Sequence, residues 1–400
     1  MADQQPIAVE EHLERVLAAV APLDVTRQPL LDALGLAAAE PVTAEVSLPG
    51  FDNSAMDGYA VRLADVVSAS ADAPVHLPVV GAIGAGAADL RELPEGTAAK
   101  IMTGAPVPAG ADAVVPYEWT DRGAEHVRIE RAPTEGQHVR RAGEDVSAGD
   151  LVLETGTVLG PRQLGLLASL GHARVAVRHR PRVVVLSTGS ELREPGEPLG
   201  HDSIHDGVVY RVGIVPDQPE AFLAALEEQL VRADVVVTSG GVSMGDYDVV
   251  KAALRPLGTV WFGPVAMQPG KPQGFGHVGH ARVPIFTLPG NPVSAYLSFE
   301  LFVLPALRKM MGLTPWSRPQ VSARLTHAIT SPPGRRQLLR AHLDTAEGTV
   351  SPVGGPGSHL VGGLADADAV VVVPEDVTAL EAGASVSVLP LDTGLDGGAS

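Results

Sequence analysis

Apolar side chains recur at helical spacing near the start of the chain. Residues 9–20, VEEHLERVLAAV, place them three or four positions apart, with charged residues between. This stripe predicts a surface helix with one buried face. A second helix is predicted from Pro161, because PRQLGLLASLG begins with proline and ends with glycine.

The pattern then changes to short β-prone runs between residues 47 and 147. The runs VHLPVV, AVVPYEW and HVRIE are separated by turns that contain glycine or proline. We therefore predict a small β module over 47–147. The flanking segments, 1–46 and 148–179, are predicted to form one discontinuous helical or linker domain.

Beyond the basic connector RHRPR, two continuous β-branched runs indicate a third kind of structure. RVVVLSTG and DVVVTSGG each end in a hydroxyl residue and glycine. Such runs are typical of strands buried on both faces of a parallel α/β sheet, which we predict over 180–313. Helices are predicted over AFLAALEEQL, with Asp217 as its cap-like acid, over YDVVKAAL, capped by Asp246, and over VSAYLSFELFVLPALRKMMG.

The C-terminal part of the chain returns to alternating segments. VSARLTHAI, VVVVP and VSVLP predict a second small β module over 314–390, and the tail 391–400 is predicted to be disordered. The predicted fold class is thus α/β. It is a multidomain subunit with a parallel α/β sheet domain, two small β modules and a helical or linker domain.

Composition narrows the classes of function. A chain of 400 residues with 45% apolar and 19% charged residues is globular and long enough for several domains. A net charge of −18 argues against binding to nucleic acid. The absence of cysteine excludes disulfides, iron–sulfur clusters, thiolate zinc and a cysteine nucleophile. Without a membrane-length apolar run or a signal-like start, we expect a cytoplasmic protein with no membrane partner.

The predicted sheet carries candidate ligand groups where its strands end. Ligands of open α/β sheets bind there, so the loops at 187–191, 238–248 and 287–292 are expected to share one crevice. Backbone N–H groups and hydroxyls of one loop can cradle an anion: Ser239, Gly240, Gly241 and Ser243. No Walker motif accompanies them, which excludes a P-loop ATPase.

Charged residues near the same edge of the sheet allow two interpretations. The carboxylates of Glu191, Asp246 and Asp248 could together hold one Mg²⁺, or they could cap helices. Lys271 stands between glycine and proline, which restricts where its ammonium can go. Pro289 and Pro292 flank a helix start whose N–H groups would face the crevice, or would form only a rigid cap.

Three polar loops lie outside the sheet domain. They are PGFDNSAMDGYAV at 49–61, IMTGAPVPAGADAVVPYE at 101–118 and RRAGED at 140–145. Each is open to a plain structural interpretation, as a turn in the first two cases and as a solvated salt-bridge loop in the third.

Together with STGSEL, TSGGVSMGDYD, PGKP and LPGNPVSA, these segments resemble, in the same order, the MoeA/gephyrin family of molybdopterin molybdenumtransferases. The resemblance runs from about residue 8 to 390. It implies an enzyme that inserts molybdate into adenylylated molybdopterin, with a divalent cation, and releases AMP. It also implies an elongated homodimer of four-domain subunits, whose cleft joins the sheet domain of one subunit to the β module of the other.

The resemblance also implies roles for individual residues. Catalytic roles fall on Asp57, Thr103, Glu191, Asp217 and Lys271, metal binding on Glu191 and Asp248, and substrate binding on Arg140, Asp145, Pro289, Pro292, Arg340 and Ser358. The chain departs from the family pattern at two places. Gln268 replaces a lysine common in the family, and the helix expected after Asp206 is missing, although parallel strands need a crossover of about ten residues or more.

Two other functions remain as alternatives. One is a molybdopterin adenylyltransferase or nucleotide-pterin phosphohydrolase built on the same sheet domain, which would leave the loops at 49–61 and 137–145 without a role. The other is a gephyrin-like scaffold. Other cofactor-biosynthesis proteins are possible partners in either case.

Overall fold

The computed structural model describes residues 5–86, 92–189, 192–201, 203–205, 214–240, 248–355 and 357–391. The chain divides into two compact units, and helices and strands are numbered along it. Unit 1 comprises residues 1–40, 155–160 and 175–400, and unit 2 comprises 41–154 and 161–174. The finer domain boundaries expected from the sequence stay predictions. None of the helices in these described ranges is long and apolar enough to cross a membrane.

The helices are short. They are α1 Val9–Ala19, α2 Leu63–Val66, α3 Pro161–Ser169, α4 Pro219–Leu230, α5 Val249–Leu254, α6 Pro292–Ser298, α7 Leu304–Met310 and α8 Val361–Asp366. A π-helical turn, Phe299–Val303, joins α6 to α7, so the long apolar helix predicted here is one helical run with a π segment inside it. The helices predicted near Val9 and at Pro161 are confirmed.

Unit 2 is built on a small β-sheet. Its strands are β3 Val42–Thr43, β4 Asn53–Ser54, β5 Gly58–Val61, β6 Val75–Ile83, β7 Ala98–Ile101, β8 Ala113–Pro116, β9 His126–Ile129, β10 Val139–Arg140 and β11 Leu151–Leu153. The main sheet has the order β8-β5-β7-β6-β9. The three β-prone runs of the sequence are strands here, as predicted. β4 pairs with β10 and thereby connects the loop at 49–61 to the loop at 140–145.

Unit 1 contains an α/β sheet in the order β16-β13-β17-β21-β20-β18. Its strands are β13 Val183–Thr188, β16 Ile214–Val215, β17 Val235–Ser239, β18 Val260–Pro264, β20 Pro272–Val278 and β21 Val283–Leu288. β16, β13, β17 and β21 are parallel, as predicted, whereas β20 and β18 are antiparallel. The sheet is therefore mixed, because a tight turn rather than a crossover helix joins β20 to β21.

Both faces of this sheet are buried, which explains its continuous apolar runs. One face packs on α1 and the α6–α7 run through Val237, Phe286, Val16 and Phe302. The other packs on α4 and α5 through Leu186, Val236, Phe222, Leu226 and Leu254. Burying one large apolar side chain contributes about 1.5–3 kcal/mol, so these two layers hold the sheet rigid.

A second sheet in unit 1 closes on itself. Its strands are β19 Met267–Gln268, β22 Val321–Leu325, β24 Arg336–Asp344, β25 Thr349–Pro352, β26 Ala369–Val373 and β28 Ser385–Pro390. They follow the order β19-β24-β25-β22-β28-β26, and β24 also pairs with β26. The predicted C-terminal β module is thus confirmed in its strands. The remaining short strands of the unit are β1 Val25–Pro29, β2 Ala37–Ala38, β12 Arg174–Arg178, β14 Leu192–Arg193, β15 Ile204–His205, β23 Ile329–Thr330 and β27 Ala379–Leu380.

A histidine on the buried face of α1 forms part of the core. His12 is 1% exposed, and its ring lies against Trp261 and Phe302 at centroid distances of 5.1 and 4.6 Å. Burial, and then the nearby charge of Arg15, lowers the pKa of His12 to about 3. The imidazole is therefore neutral in the folded protein at neutral pH.

This burial makes the stability of the protein sensitive to acid. Because the pKa of His12 is lower in the folded chain than in the unfolded chain, the unfolded state takes up the extra proton between about pH 6.5 and 3. We expect wild type to lose about 1.4 kcal/mol per pH unit in that window relative to His12→Phe. Urea unfolding of both proteins at a series of pH values from 7.5 downward tests this. Parallel stability curves would contradict it.

Candidate functional site

The carboxyl ends of three parallel strands meet in unit 1. The N–H of Gly240, directly after β17, donates to the carbonyl of Leu288 at the end of β21, 3.1 Å away. Gly240 has φ +89°, and a Cβ there would stand 3.0 Å from the carbonyl oxygen of Thr188 on β13. A Cβ on Gly290 would lie 3.3 Å from the Cα of Gly240. Glycine is therefore needed for this close approach of the strand ends, and the shared crevice expected beside them stays a prediction.

Part of the predicted site falls on the gaps between the described ranges. Glu191, Gly241, Ser243 and Asp246 lie outside the described residues, as do Asp206 with the crossover that follows it and the tail from residue 392. Ser239, the last residue of β17, is half-buried beside Gly240.

Lys271 lies at the same edge of the sheet. β20 runs antiparallel to β21 with Gly274 opposite Thr287, so Lys271, just before β20, is level with the end of β21. Its loop is fixed by Gln273, whose amide donates to the Gly270 carbonyl and to the Ser298 hydroxyl, both at 2.6 Å. These contacts fix the loop that carries Lys271, whereas the restriction predicted for its ammonium stays a prediction.

The start of α6 is joined to the segment that carries Ser358. Pro292 is the first residue of α6, and its N-cap, Asn291, makes no side-chain capping bond. The N–H of Val293 donates to the carbonyl of Ser358 at 3.3 Å. Pro289 is buried just before this turn. Residues that are some 65 positions apart in the chain are therefore brought to one helix start.

Arg340 is hydrogen-bonded to the segment that contains Ser358. Its side chain is buried on β24, and its guanidinium donates to the carbonyls of Leu360, Gly354 and Gly355. Burial lowers the pKa of Arg340. The described contacts give Arg340 a positioning role toward the loop that contains Ser358.

Two assignments of helix caps were wrong. α5 begins at Val249, and its cap is Asp248, whose Oδ1 accepts the N–H of Lys251 at 3.0 Å, not Asp246. The cap of α4 is Gln218, which makes no side-chain bond to the helix, and exposed Asp217 precedes it. In both cases the observed cap stands one or two residues after the acid that the sequence suggested.

Unit 2 has a carboxylate–hydroxyl cluster of its own. Oδ1 of Asp57 accepts the N–H of Thr103 at 2.7 Å and its hydroxyl at 2.8 Å. These two hydrogen bonds, backbone first, lower the pKa of Asp57. Both residues are exposed, so an ionised and oriented carboxylate faces solvent here.

A cavity of about 480 Å³ in unit 2 includes two of the predicted binding residues. It is lined by Leu48, Pro49, Arg140, Glu144 and Asp145. The neighbouring Arg141 forms an ion pair with Asp52 at 2.6 Å, and the second oxygen of Asp52 accepts the N–H of Ala142. The backbone bond and then the arginine lower the pKa of Asp52. The salt-bridge interpretation therefore holds for Arg141, whereas Arg140 and Asp145 face a cavity.

Sequence reasoning missed Tyr117 as a neighbour of Asp57. The N–H of Tyr117 donates to the Asp57 carbonyl at 3.2 Å. Burial, and then the charge of Asp57, raises the pKa of the Tyr117 phenol. Its position directly after the buried run AVVP was the available signal, since side chains at strand ends commonly carry function.

The described carboxylates do not by themselves make a magnesium site. No group of three histidine, aspartate or glutamate side chains within the described ranges could hold a metal ion. Asp248 uses one oxygen to cap α5, and Glu191 is not among these residues.

The fold and site define a multidomain α/β protein whose parallel strand ends converge at Gly240 and Gly290. Three family profiles match it: the MoeA N-terminal region (domain I and II) over residues 7–171, the probable molybdopterin binding domain over 203–309 and the MoeA C-terminal region (domain IV) over 322–391. The chain belongs to the MoeA family, a family of transferases of molybdenum cofactor biosynthesis.

Similar proteins cover nearly the whole chain. Molybdopterin molybdenumtransferase 2 of Mycobacterium tuberculosis is 47% identical over 408 residues, spanning 96% of this chain and 99% of the relative. Molybdopterin molybdenumtransferase of Haemophilus influenzae is 37% identical over 382 residues, spanning 91% and 93%. The crystal structure of a molybdopterin biosynthesis MoeA protein from a Pyrococcus species matches with a TM-score of 0.84 at 33% identity, covering 97% of this chain and 100% of that one.

Proposed function

We propose that this chain is a molybdopterin molybdenumtransferase, which inserts molybdate into adenylylated molybdopterin and releases AMP. The observation that carries the proposal is the convergence of the ends of β13, β17 and β21 around Gly240 and Gly290, with Lys271 at the same edge. The names of the relatives supply the reaction.

The proposed ligands are anions, and this edge of the sheet offers groups that can bind anions. Molybdate and a diphosphate are both anionic, and the chain as a whole carries −18. Positive charges and hydrogen-bond donors within the site must therefore outweigh the negative electrostatic potential of the whole chain. In the proposed reaction, Lys271 supplies a fixed positive charge and backbone N–H groups hold the phosphate oxygens. Arg340 holds the Ser358 segment against the start of α6, so that the crevice keeps its shape.

The cluster in unit 2 supplies a different group to the same reaction. Asp57 is ionised at neutral pH and is oriented by Thr103, which suits a residue that accepts a hydrogen bond from the reacting molecule. Arg140 and Asp145 line a cavity large enough for part of such a substrate. We assign these four residues to the proposed site.

The proposal also includes a bound divalent cation and a cellular compartment. Mg²⁺ is the expected ion because the chain has no cysteine and the candidate ligands, Glu191 and Asp248, are carboxylates. Bound with the substrate, it would neutralise phosphate charge. Asp217, which follows β16 and precedes α4, keeps the catalytic role that the resemblance implies. We place the reaction in the cytoplasm, with other cofactor-biosynthesis proteins as possible partners.

A reconstituted assay tests the function directly. Purified protein is given adenylylated molybdopterin, Mg²⁺ and molybdate, and AMP is measured together with the activity of the cofactor formed, in an apoenzyme that requires it. AMP release that depends on both protein and molybdate is expected. No AMP above the protein-free control would reject the proposal.

We further propose that the active unit is a homodimer with composite sites. Asp57 belongs to unit 2 and Lys271 to unit 1, and the family resemblance implies that the two clusters serve one cleft across a dimer. Mixing Asp57→Ala subunits with Lys271→Ala subunits should then give mixed dimers with one intact site each. Because about half of a random mixture is heterodimer, activity should recover to about a quarter of wild type.

The measurement is AMP release after subunit exchange, which is verified by differently tagged subunits. Each single variant mixed with itself is the matched control. A mixture no more active than its parents would show that both residues act within one chain.

A further inference from the structure

A strained turn lies beside the Asp57–Thr103 cluster in unit 2. It follows β8 as a 3₁₀ turn, Tyr117–Trp119, and continues to Gly123. Arg122 in this turn has φ +58°, a left-handed conformation that a residue with a Cβ adopts at a cost. Glycine or asparagine would suit the turn better. The presence of arginine therefore calls for a reason other than the turn.

Three hydrogen bonds stabilise the backbone of this turn. The N–H of Arg122 donates to the Thr120 hydroxyl at 3.2 Å. Oδ1 of Asp121 accepts the N–H groups of Gly123 and Arg128 at 3.1 and 2.9 Å. The turn is thus held by groups within it and by the N–H of Arg128 on β9, which fix the backbone from which the Arg122 side chain extends.

A buried tyrosine links the turn to the Asp57 cluster. Tyr59, with no exposed surface, donates its hydroxyl to the Gly123 carbonyl at 2.7 Å. The Tyr59 ring also meets the Tyr117 ring edge to face, at a centroid distance of 5.5 Å. Since Tyr117 is hydrogen-bonded through its N–H to Asp57, the whole arrangement is one rigid scaffold.

This scaffold brings a cation to the carboxylate–hydroxyl cluster. The guanidinium carbon of Arg122 lies 5.5 Å from the centroid of the Tyr117 ring. The charges of Asp57 and Arg122 both act on the Tyr117 phenol, raising and lowering its pKa respectively. Arg122, Asp57 and Thr103 are all exposed. Among the residues that the structure describes, no carboxylate is within ion-pair distance of Arg122.

We propose that Arg122 is a further substrate-binding residue, which pairs with a phosphate group of the anionic substrate beside Asp57 and Thr103. This inference rests on the proposed function. A guanidinium offers paired N–H donors that match phosphate oxygens. In a chain of net charge −18, a single fixed cation next to an exposed carboxylate is what would admit an anion there.

The test compares two arginines with the same backbone strain. Arg282, in the turn between β20 and β21, is exposed and has φ +54°. In Arg122→Gly and in Arg282→Gly, relief of the positive φ and the extra freedom of glycine in the unfolded chain oppose each other, so both melting temperatures should stay near wild type. Equilibrium binding of adenylylated molybdopterin is then measured by fluorescence titration.

We expect Kd to rise about 10-fold for Arg122→Gly and to stay unchanged for Arg282→Gly, as fits the loss of one charge-assisted contact to phosphate. Arg122→Lys should recover part of the affinity. Added NaCl should weaken binding to wild type more than to Arg122→Gly, since one exposed ionic contact is already lost. A Kd within twofold of wild type for Arg122→Gly would overturn the inference.

The same experiment separates this inference from the proposed function. If wild type binds the ligand but releases no AMP with molybdate, the proposed function fails while the Kd comparison still decides the role of Arg122. If wild type turns over normally and Arg122→Gly binds as well as wild type, only the inference fails.

Discussion

Lys271→Ala is expected to lower the rate of AMP release by about 10²-fold or more, because one preorganised charge in a water-poor site contributes roughly 3 kcal/mol to the transition state. Lys271 is set by a loop whose backbone and glutamine contacts do not involve its ammonium. The carbonyl of Lys271, which accepts the N–H of Val265 at 2.7 Å, is kept in the variant. The fold should therefore survive.

Steady-state kinetics of the variant, with thermal unfolding in parallel, check this expectation. Lys251→Ala on α5 is the matched control, since Lys251 is another half-buried lysine of the same unit. Its turnover should stay close to wild type. Near-normal turnover by Lys271→Ala would make Lys271 an ordinary loop lysine.

Arg318→Leu is expected to lower the free energy of unfolding by about 3–5 kcal/mol, because it leaves the buried partner charge of Glu300 uncompensated. Nε of Arg318 lies 2.7 Å from Oε2 of Glu300, and the two side chains are 7% and 3% exposed. Glu300 belongs to the π-helical turn between α6 and α7. Arg318 lies just before β22, so the pair joins the helical run to the connector that leads into the C-terminal sheet.

Denaturant unfolding monitored at the wavelength of tryptophan emission measures the loss. The double variant Glu300→Leu with Arg318→Leu should recover most of it, since no buried charge remains unpaired. If the single and double variants were equally destabilised, lost packing would explain the effect and the ion pair would not.

Local patterns in the sequence predicted the individual elements well. The β-branched runs at 183–188 and 235–239 are parallel neighbours, because strands covered on both faces require apolar residues at every position. The helix from Pro161 to Ser169 begins at its proline and is followed by Gly171 at φ +85°. Both signals act within a few residues and do not depend on the rest of the chain.

Local signals did not decide which polar side chain is buried or bonded. His12, three residues after Val9 and four before Val16, lies on the buried face of α1 and packs against Trp261 and Phe302. Asp248 rather than Asp246 caps α5. In each case several polar residues stand close together in the sequence, and only the structure shows which of them is buried or bonded.

By itself, the amino-acid sequence determined the family, the order of the motifs and the strands and helices that carry them. The family resemblance is confirmed by three matching family profiles and by relatives that cover nearly the whole chain. Only the tertiary structure decided which of these residues meet: Asp57 with Thr103, Ser358 with the start of α6, and Arg340 with the loop at 354–360. The physical reason is that periodicity, glycine and proline act over a few residues, whereas these contacts join positions tens of residues apart and depend on strand register, burial and hydrogen-bond geometry.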